Sequence, residues 1–369
     1  MAVDFDKWLQ HELNLNRLAT NTINTVVVPG LSGVEKAISE ILNQHDIIAS
    51  KSELSDITKA IREQINSQST WSIATVNMAE MAIYEAGWQA NFMGAAFAEK
   101  LNLPADSSIV RYVQQSIMSL TSGSRVDAGI WSKFTKDNLN SQNKLVNNIV
   151  VDGYAKGETG KQISKRIKET FTGTIARDAE NLARTGYVHY ASQASEAMIQ
   201  DNLDVFKEYY YVVTFDNRLS DICRNINLLF NPESDRFKVG DPKAPMPPIH
   251  YGCRTRRIAV TDNWKPNGDR GSVGSKSGEA AEESFERREK RSDGKVVKYR
   301  GRNDKAFKAK AIKATTNYST WLKQQEPWFI EDTLGKQKAD WFISGEYGLK
   351  SFSDMTGRPL TLAEIESRG

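Results

Sequence analysis

Phe206-Lys-Glu-Tyr-Tyr-Tyr-Val-Val-Thr-Phe215 marks the point where the period of this chain changes. Ten residues dense in aromatic and β-branched side chains read as a strand. Arg254-Thr-Arg-Arg-Ile-Ala-Val-Thr261 alternates and reads as a second, shorter strand. Between them lie Asp216-Asn-Arg218, Asp221-Ile-Cys223 and the proline-rich Pro245-Met-Pro-Pro-Ile-His250. The pair of strands therefore frames a small α+β unit with a long irregular excursion.

Upstream of that point the apolar spacing is helical. Leu54, Ile57, Ile61 and Ile65 recur with Ser52 or Ser55 as the N-cap. Ser32 and Glu35 have the capping-box spacing ahead of Ile38, Ile41 and Leu42. An Ala- and Met-rich helix is expected from Trp71 to about Leu101, ended by Leu103-Pro104. Val110, Val113, Ile117 and Leu120 begin another amphipathic series, broken by Thr121-Ser-Gly-Ser124. Gly157-Glu-Thr-Gly160-Lys161 lacks the spacing and the preceding strand of a phosphate loop. It reads instead as a loop before a helix, with Thr159 as cap, Gln162 closing the box, and Ile163, Ile167 and Phe171 buried. One more helix is expected from Ile175 to about Gln200. The first 150 residues thus read almost wholly as helix, and the fold class is mainly α with a small α+β domain.

Downstream, residues 265–294 are rich in Gly, Ser and charge and read as a flexible linker. The last segment turns helical and aromatic, with Trp321, Trp328, Phe329, Trp341 and Phe342. Four regions follow: a helical partner-binding region 1–150, an α+β domain 151–264, the linker 265–294, and a basic and aromatic helical segment 295–369.

Bulk properties narrow the function classes. The 369 residues suffice for two or three domains, and apolar (39%) and charged (26%) contents are ordinary for globular proteins. No run of 18 apolar residues exists, and Met1-Ala-Val-Asp-Phe-Asp lacks a basic, then apolar leader. A cytoplasmic site of synthesis and no membrane partner are the expectations. Two cysteines exclude a disulfide-dense scaffold. The net charge of +3 is unevenly spread: Lys295–Lys313 carries about +7, so the remainder sums to about −4.

Three constellations bear chemistry. Cys223, His250 and Cys253 offer two thiolates and an imidazole, a donor set suited to zinc. A fourth ligand would come from Asp216, Asp221 or water. Buried thiols with no metal, or a disulfide formed after lysis, are the alternatives. Arg184, Asp216, Arg218 and Asp221 form an ion-pair network or a catalytic carboxylate set. The network is favoured, because catalysis needs a general base of tuned pKa in a cleft and no spacing singles one out. Lys295, Lys298, Arg300, Arg302, Lys305, Lys308, Lys310 and Lys313, with Tyr299 and Phe307 interleaved, either contact DNA phosphates or form a solvated helix face. His11, His45 and His189 join no catalytic set, and no Gly-x-Ser-x-Gly elbow occurs.

The order of motifs from about Gly153 to Thr261 carries a resemblance. A glycine-marked loop and helix precede Ala183-Arg184-Thr185, then come the strand, Phe215-Asp-Asn-Arg218, Asp221-Ile-Cys223 and Pro247-Pro-Ile-His250-Tyr-Gly-Cys253-Arg254. This resembles the Mu protein F-like domain of phage head morphogenesis proteins. Tyr318-Ser-Thr-Trp321-Leu322, Leu334-Gly-Lys336 and Gly357-Arg-Pro-Leu-Thr-Leu362 resemble a C-terminal segment of the same family. Gly186 stands where the family often has Glu, and Lys338 near a usual arginine. The resemblance implies a non-enzymatic minor head protein inside the capsid near the portal. Its implied partners are the portal protein, other head proteins and packaged DNA, and its implied role is in head assembly, DNA packaging or ejection. A metal-dependent nuclease or a toxin-like transferase carried in the virion is the competing class. A fused effector would need at least ~100 residues for its own domain, which leaves the structural role as the expectation.

Overall fold

The computed structural model describes residues 4–122, 125–226, 236–262, 264, 266–275, 284–290, 296–302, 307–354 and 358–368. The chain is mainly α-helical, with short antiparallel strands in small sheets. It forms two compact units.

The helical unit comprises His11–Leu203 and Met246–Cys253. Its elements are α1 (Phe5–Thr22), α2 (Val28–Asn43), α3 (Lys51–Ser67), α4 (Thr70–Phe97), α5 (Asp106–Gln115), the hairpin β1 (Met118–Ser122) and β2 (Arg125–Gly129), α6 (Trp131–Lys156), α7 (Gly160–Thr170) and α8 (Ala176–Gln200). One core runs from Leu15 to Ala194 and takes in Ile38, Leu42, Ile61, Ile65, Met78, Phe134, Ile163 and Tyr190. Each such side chain, fully buried, contributes roughly 1.5–3 kcal/mol. A boundary at residue 150 therefore does not exist: α7 packs on α2, and α8 on α4 and α5, inside the same core.

Two helix junctions are π-helical. Ile23–Val27 joins α1 to α2, and Phe171–Ile175 joins α7 to α8. Pro29 sits just beyond the first. A proline has no N–H to give and crowds the carbonyl four residues back, so the wider π turn lets the helix continue through it. Ser32 and Glu35 consequently lie inside α2, not at its start, and Ser39 Oγ donates to Glu35 at 2.9 Å. The cap of α3 is Ser50, which accepts from Glu53 N, in place of Ser52 or Ser55. Thr159 and Gln162 form the expected capping box of α7. Ile117 and Leu120 do not prolong α5; Ser116 is extended and β1 begins at Met118.

The second unit comprises Met1–Gln10, Asp204–Pro245 and Arg254–Gly369. Strand β3 (Glu208–Val212) is the centre of a three-stranded antiparallel sheet. It is flanked by β4 (Arg236–Lys238), with Tyr209 opposite Phe237, and by β5 (Arg256–Val260), with Tyr210 opposite Ile258. A short helix, α9 (Asp221–Arg224), is capped by Ser220. The final helices α10 (Tyr318–Leu322), α11 (Pro327–Leu334), α12 (Lys336–Ser344) and α13 (Leu362–Glu366) belong to this unit as well. They pack through Phe215, Tyr318, Trp321 and Phe329, whose rings meet edge-on or tilted at 5.2–5.7 Å.

The segment read as a linker and the basic segment read as a helix are both corrected. They hold β6 (Asp269–Ser275), β7 (Ser284–Lys290), β8 (Val296–Arg302) and β9 (Phe307–Lys313). β6 pairs with β9, with Ser272 opposite Lys310, and β7 with β8, with Arg287 opposite Tyr299. Both pairs are antiparallel, and the inner pair is nested in sequence within the outer one. The outer ribbon is anchored at Phe215, whose carbonyl accepts from Val273 N at 2.8 Å. Arg270 lies over the Phe215 ring at 4.1 Å and donates to the Val213 carbonyl. The buried face of β6 is Arg270, Ser272 and Gly274, which gives no apolar alternation, so composition alone reads the segment as linker.

His189 lies in the middle of α8, wholly buried. Burial pushes its imidazole down to about 4, below the ordinary value of about 6.5. Between those values the unfolded chain binds the proton and the folded chain does not. The associated stability is therefore complete above about pH 6.5 and is lost as the pH falls toward about 4. At ~1.36 kcal/mol per unit, the loss approaches about 3 kcal/mol. Urea unfolding near pH 7 and at about pH 4.5 checks this. His189→Gln should flatten the dependence, and an unchanged slope in that variant would exclude His189 as its source.

Candidate functional site

Met246–Cys253 carries two of the three proposed metal ligands. Its backbone is fixed on the helical unit at several points. Thr121 N donates to Ile249 O at 2.7 Å, and Gly252 N donates to Thr185 Oγ1 at 3.0 Å. Tyr251 meets Phe134 edge-on at 6.5 Å. Gly252 has φ +68°, and a Cβ there would stand 2.9 Å from Asn181 Oδ1, so the turn needs glycine twice over. Cys253 N then donates to His250 O at 3.1 Å. The turn brings the donor atoms of His250 and Cys253 within 4.8 Å of each other. Cys253 is buried and His250 half-buried. Cys223, on α9, is buried, and neither cysteine forms a disulfide. Cys223 belongs to the other compact unit, so the helical unit itself brings together His250 and Cys253.

The charged network differs from the nominated one. Asp216, almost fully buried, accepts two hydrogen bonds from the Arg254 guanidinium, at 2.5 and 2.9 Å, and one from Arg218 N at 3.0 Å. The fork of Arg matches a carboxylate in this two-bond geometry. Tyr318 Oη donates to the Asp216 carbonyl at 2.7 Å, which joins the C-terminal helices to the strand end. Burial pushes the Tyr318 phenol up to about 12. Asp221 pairs with Arg224 at 2.6 Å, and Arg224 also donates to Leu219 O. Arg218 thus contributes its backbone. Arg184 donates to Thr20 Oγ1 at 3.2 Å, and its neighbour Thr185 takes the positioning role. Arg254 and Arg224 are the partners that sequence spacing missed. Every carboxylate of this network is held by an arginine, the arrangement of a structural clamp.

Residues 144–258 match the family model described as phage Mu protein F like protein. That stretch is similar to the phage Mu protein F-like family. The matched part, under a third of the chain, runs from the second half of α6 through β5 and contains Thr185, Asp216, Cys223, His250, Cys253 and Arg254. No curated protein and no solved structure matches it. The Mu F-like family is one of phage head morphogenesis proteins. The C-terminal motifs lie beyond the match. Within them, Lys338 Nζ donates to Leu360 O at 2.8 Å over the Phe352 ring, a contact one ammonium satisfies. Gly186 has a packing reason: a Cβ there would stand 2.6 Å from the Trp131 ring.

Of the basic residues, Lys298, Arg300 and Arg302 fall on β8, where side chains are outside the described set, and Lys295 and Lys305 lie outside the described residues. Lys308, Lys310 and Lys313 are exposed on β9. The strand period places Lys308 and Lys310 on one face and Lys313 on the other. No helix among the described residues is long and apolar enough to cross a membrane.

Proposed function

We propose that this Mu F-like chain is a minor head protein of a tailed phage, inside the capsid near the portal, where it assists head assembly and DNA packaging or ejection. The family match carries the reading. The helical unit is the portal-facing part, and the basic ribbon lies against packaged DNA without reading its sequence. The arginine-clamped carboxylates support a structural role over the nuclease or transferase alternative.

Portal contact is assigned to the outer face of α4. Ile73, Val76 and Tyr84 are 46%, 57% and 49% exposed there, on a helix otherwise buried on most sides. Apolar residues clustered on an exposed face serve protein contacts. Deleting the first hundred residues is a poor test, since the core runs through to Ala194 and would be opened. Val76→Glu with Tyr84→Glu leaves that core intact. The double variant should fold, keep its far-ultraviolet spectrum and lose co-purification with the portal ring. Normal incorporation into heads, counted by mass spectrometry of purified virions, would remove this face from the assignment.

A further inference from the structure

The β1–β2 hairpin of the helical unit has one open edge and one bare face. Among the described residues its sheet holds β1 and β2 alone. The outer edge of β1 is engaged, because Thr121 N donates to Ile249 O at 2.7 Å. That bond also fixes which backbone groups of β2 point outward. Thr121 turns its N–H away from β2, so it forms a non-hydrogen-bonded pair with Val126, which stands opposite. The next pair, Leu120 and Asp127, then exchanges the ladder bonds. The N–H and C=O groups of Val126 and Ala128 are therefore directed at the open edge.

The side chains divide by face in the same register. Met118 and Leu120 are buried beneath the hairpin. Asp127, on that side, pairs with Lys133 at 2.5 Å. Strand alternation gives the other face Ile117, Ser119, Thr121, Val126, Ala128 and Ile130, and none of these is charged. Ile117, Val126 and Ile130 are 65%, 59% and 42% exposed. Edge strands are usually protected by a lysine, a proline or a bulge. Val126 and Ala128, whose backbone faces the edge, supply no such protection. An edge of this kind is a template for one more strand.

The charges on β2 select the occupant. Exposed Arg125 precedes Val126, and Asp127 follows it. Consider two copies of β2 paired antiparallel about a two-fold axis through their outward groups. With Val126 opposite its own copy, Arg125 stands opposite Asp127 of the second chain, twice over. With Val126 opposite Ala128, Asp127 faces its own copy. With Ala128 opposite itself, Asp127 faces Gly129 and no ion pair forms. Opposite charges across an antiparallel pair are favourable and like charges unfavourable, which selects the first register. Asp127 accepts from Lys133 through Oδ1, and a carboxylate has lone pairs for a guanidinium as well. We propose that β2 pairs with β2 of a second copy of this chain around Val126, giving a four-stranded sheet with a self-complementary contact. The contact is small, so the dimer belongs to the weak, concentration-dependent class and serves copies already gathered at one place.

Sedimentation equilibrium of the full chain from about 1 to about 200 μM tests this. The mass should rise from one chain toward two across that range. Val126→Lys sets two ammonium groups face to face at an exposed position, and should stay monomeric with a native far-ultraviolet spectrum. Arg125→Glu opposes two pairs of carboxylates and should weaken the dimer about tenfold. Val126→Cys reads the register directly. Facing residues of a hydrogen-bonded pair lie about 5.5 Å apart at Cα, within disulfide reach. Mild oxidation should therefore cross-link Val126→Cys and leave Asp127→Cys unlinked. Both native cysteines are buried, and the wild type is the control. A wild-type chain that is still monomeric at about 200 μM overturns the proposal, as does a Val126→Lys variant that dimerises like the wild type. Cross-linking of Asp127→Cys in place of Val126→Cys overturns the Arg125–Asp127 pairing. Should Val126→Lys lose its native spectrum, the wild-type mass and the cross-link decide. The association does not rest on a role in the head, and neither result alters the family similarity.

Discussion

Glu85→Ala is expected to destabilise the helical unit by about 3–5 kcal/mol, the range for removing one partner of a buried pair. Glu85, on α4, and His11, on α1, are 1% and 3% exposed, with Oε2 and Nε2 at 2.5 Å. The other carboxylate oxygen accepts from Gln89 Nε2 at 3.0 Å. His11 is stacked on Trp88 at 3.5 Å, and its Nδ1 is buried with no hydrogen-bond partner. Removing the carboxylate leaves the imidazole in an apolar stack with neither nitrogen satisfied, and opens a cavity beside it. The double variant His11→Leu, Glu85→Leu should lie well above either single variant in stability. Replacing a whole buried pair by apolar side chains is often neutral or better. Denaturant unfolding of the wild type, His11→Leu, Glu85→Leu and the double variant gives the coupling energy. A single substitution costing under about 1 kcal/mol, or a double variant costing the sum of the singles, would show that the pair is incidental to the core.

This pair was not legible in the sequence, because nothing local relates His11 to Glu85 across 74 positions. The same limit explains the charged network. Asp216 and Asp221 are recognisable as carboxylates in an irregular stretch, but the partner of the first, Arg254, is 38 positions away. Arg184 was nominated for its place in a motif, while the group that holds the turn is the adjacent Thr185 hydroxyl. What local chemistry dictates was readable. The Thr159–Gln162 cap, the stripe Ile57, Ile61, Ile65 and the dense aromatic strand each follow from spacing within a few residues. His250 and Cys253 were readable for that reason, being three positions apart.

Two kinds of element escaped for opposite reasons. The π segments let α1 run into α2 past Pro29, where propensity alone would end a helix. The β6–β9 ribbon has Gly271 and Gly274 in one strand and alternating Lys and Ala in the other. The buried face of β6 carries Arg270, Ser272 and Gly274, none of them a large apolar residue, so the apolar alternation that announces a half-buried strand is missing. Backbone pairing along the ribbon, not side-chain burial, defines it, and pairing leaves no mark in composition.

The ribbon changes the form of the DNA prediction. A two-stranded ribbon fits the duplex major groove and also lies along phosphates. Lysines offer few groups able to read base edges, so binding should be insensitive to sequence. Each phosphate neutralised contributes about −0.9 to the slope of log affinity against log salt. If four or five of the side chains between Lys295 and Lys313 reach phosphates, the slope is roughly −4, and affinity falls about a hundredfold or more from about 50 to about 200 mM salt. On a helix the useful neighbours would be three or four positions apart; on β9 they are two apart. Lys308→Gln with Lys310→Gln, which removes one face of the strand, should therefore reduce the slope by up to about 2. Lys313→Gln, on the opposite face, should leave it nearly unchanged. All three side chains are exposed, and exposed charges contribute little to folding, so the unfolding midpoint should hardly move in either variant. Fluorescence anisotropy with two duplexes of unrelated sequence, across a salt series, reads every one of these outcomes. A wild-type chain that ignores duplex at low salt, or a double variant with the wild-type slope, would reduce the ribbon to a solvated arm.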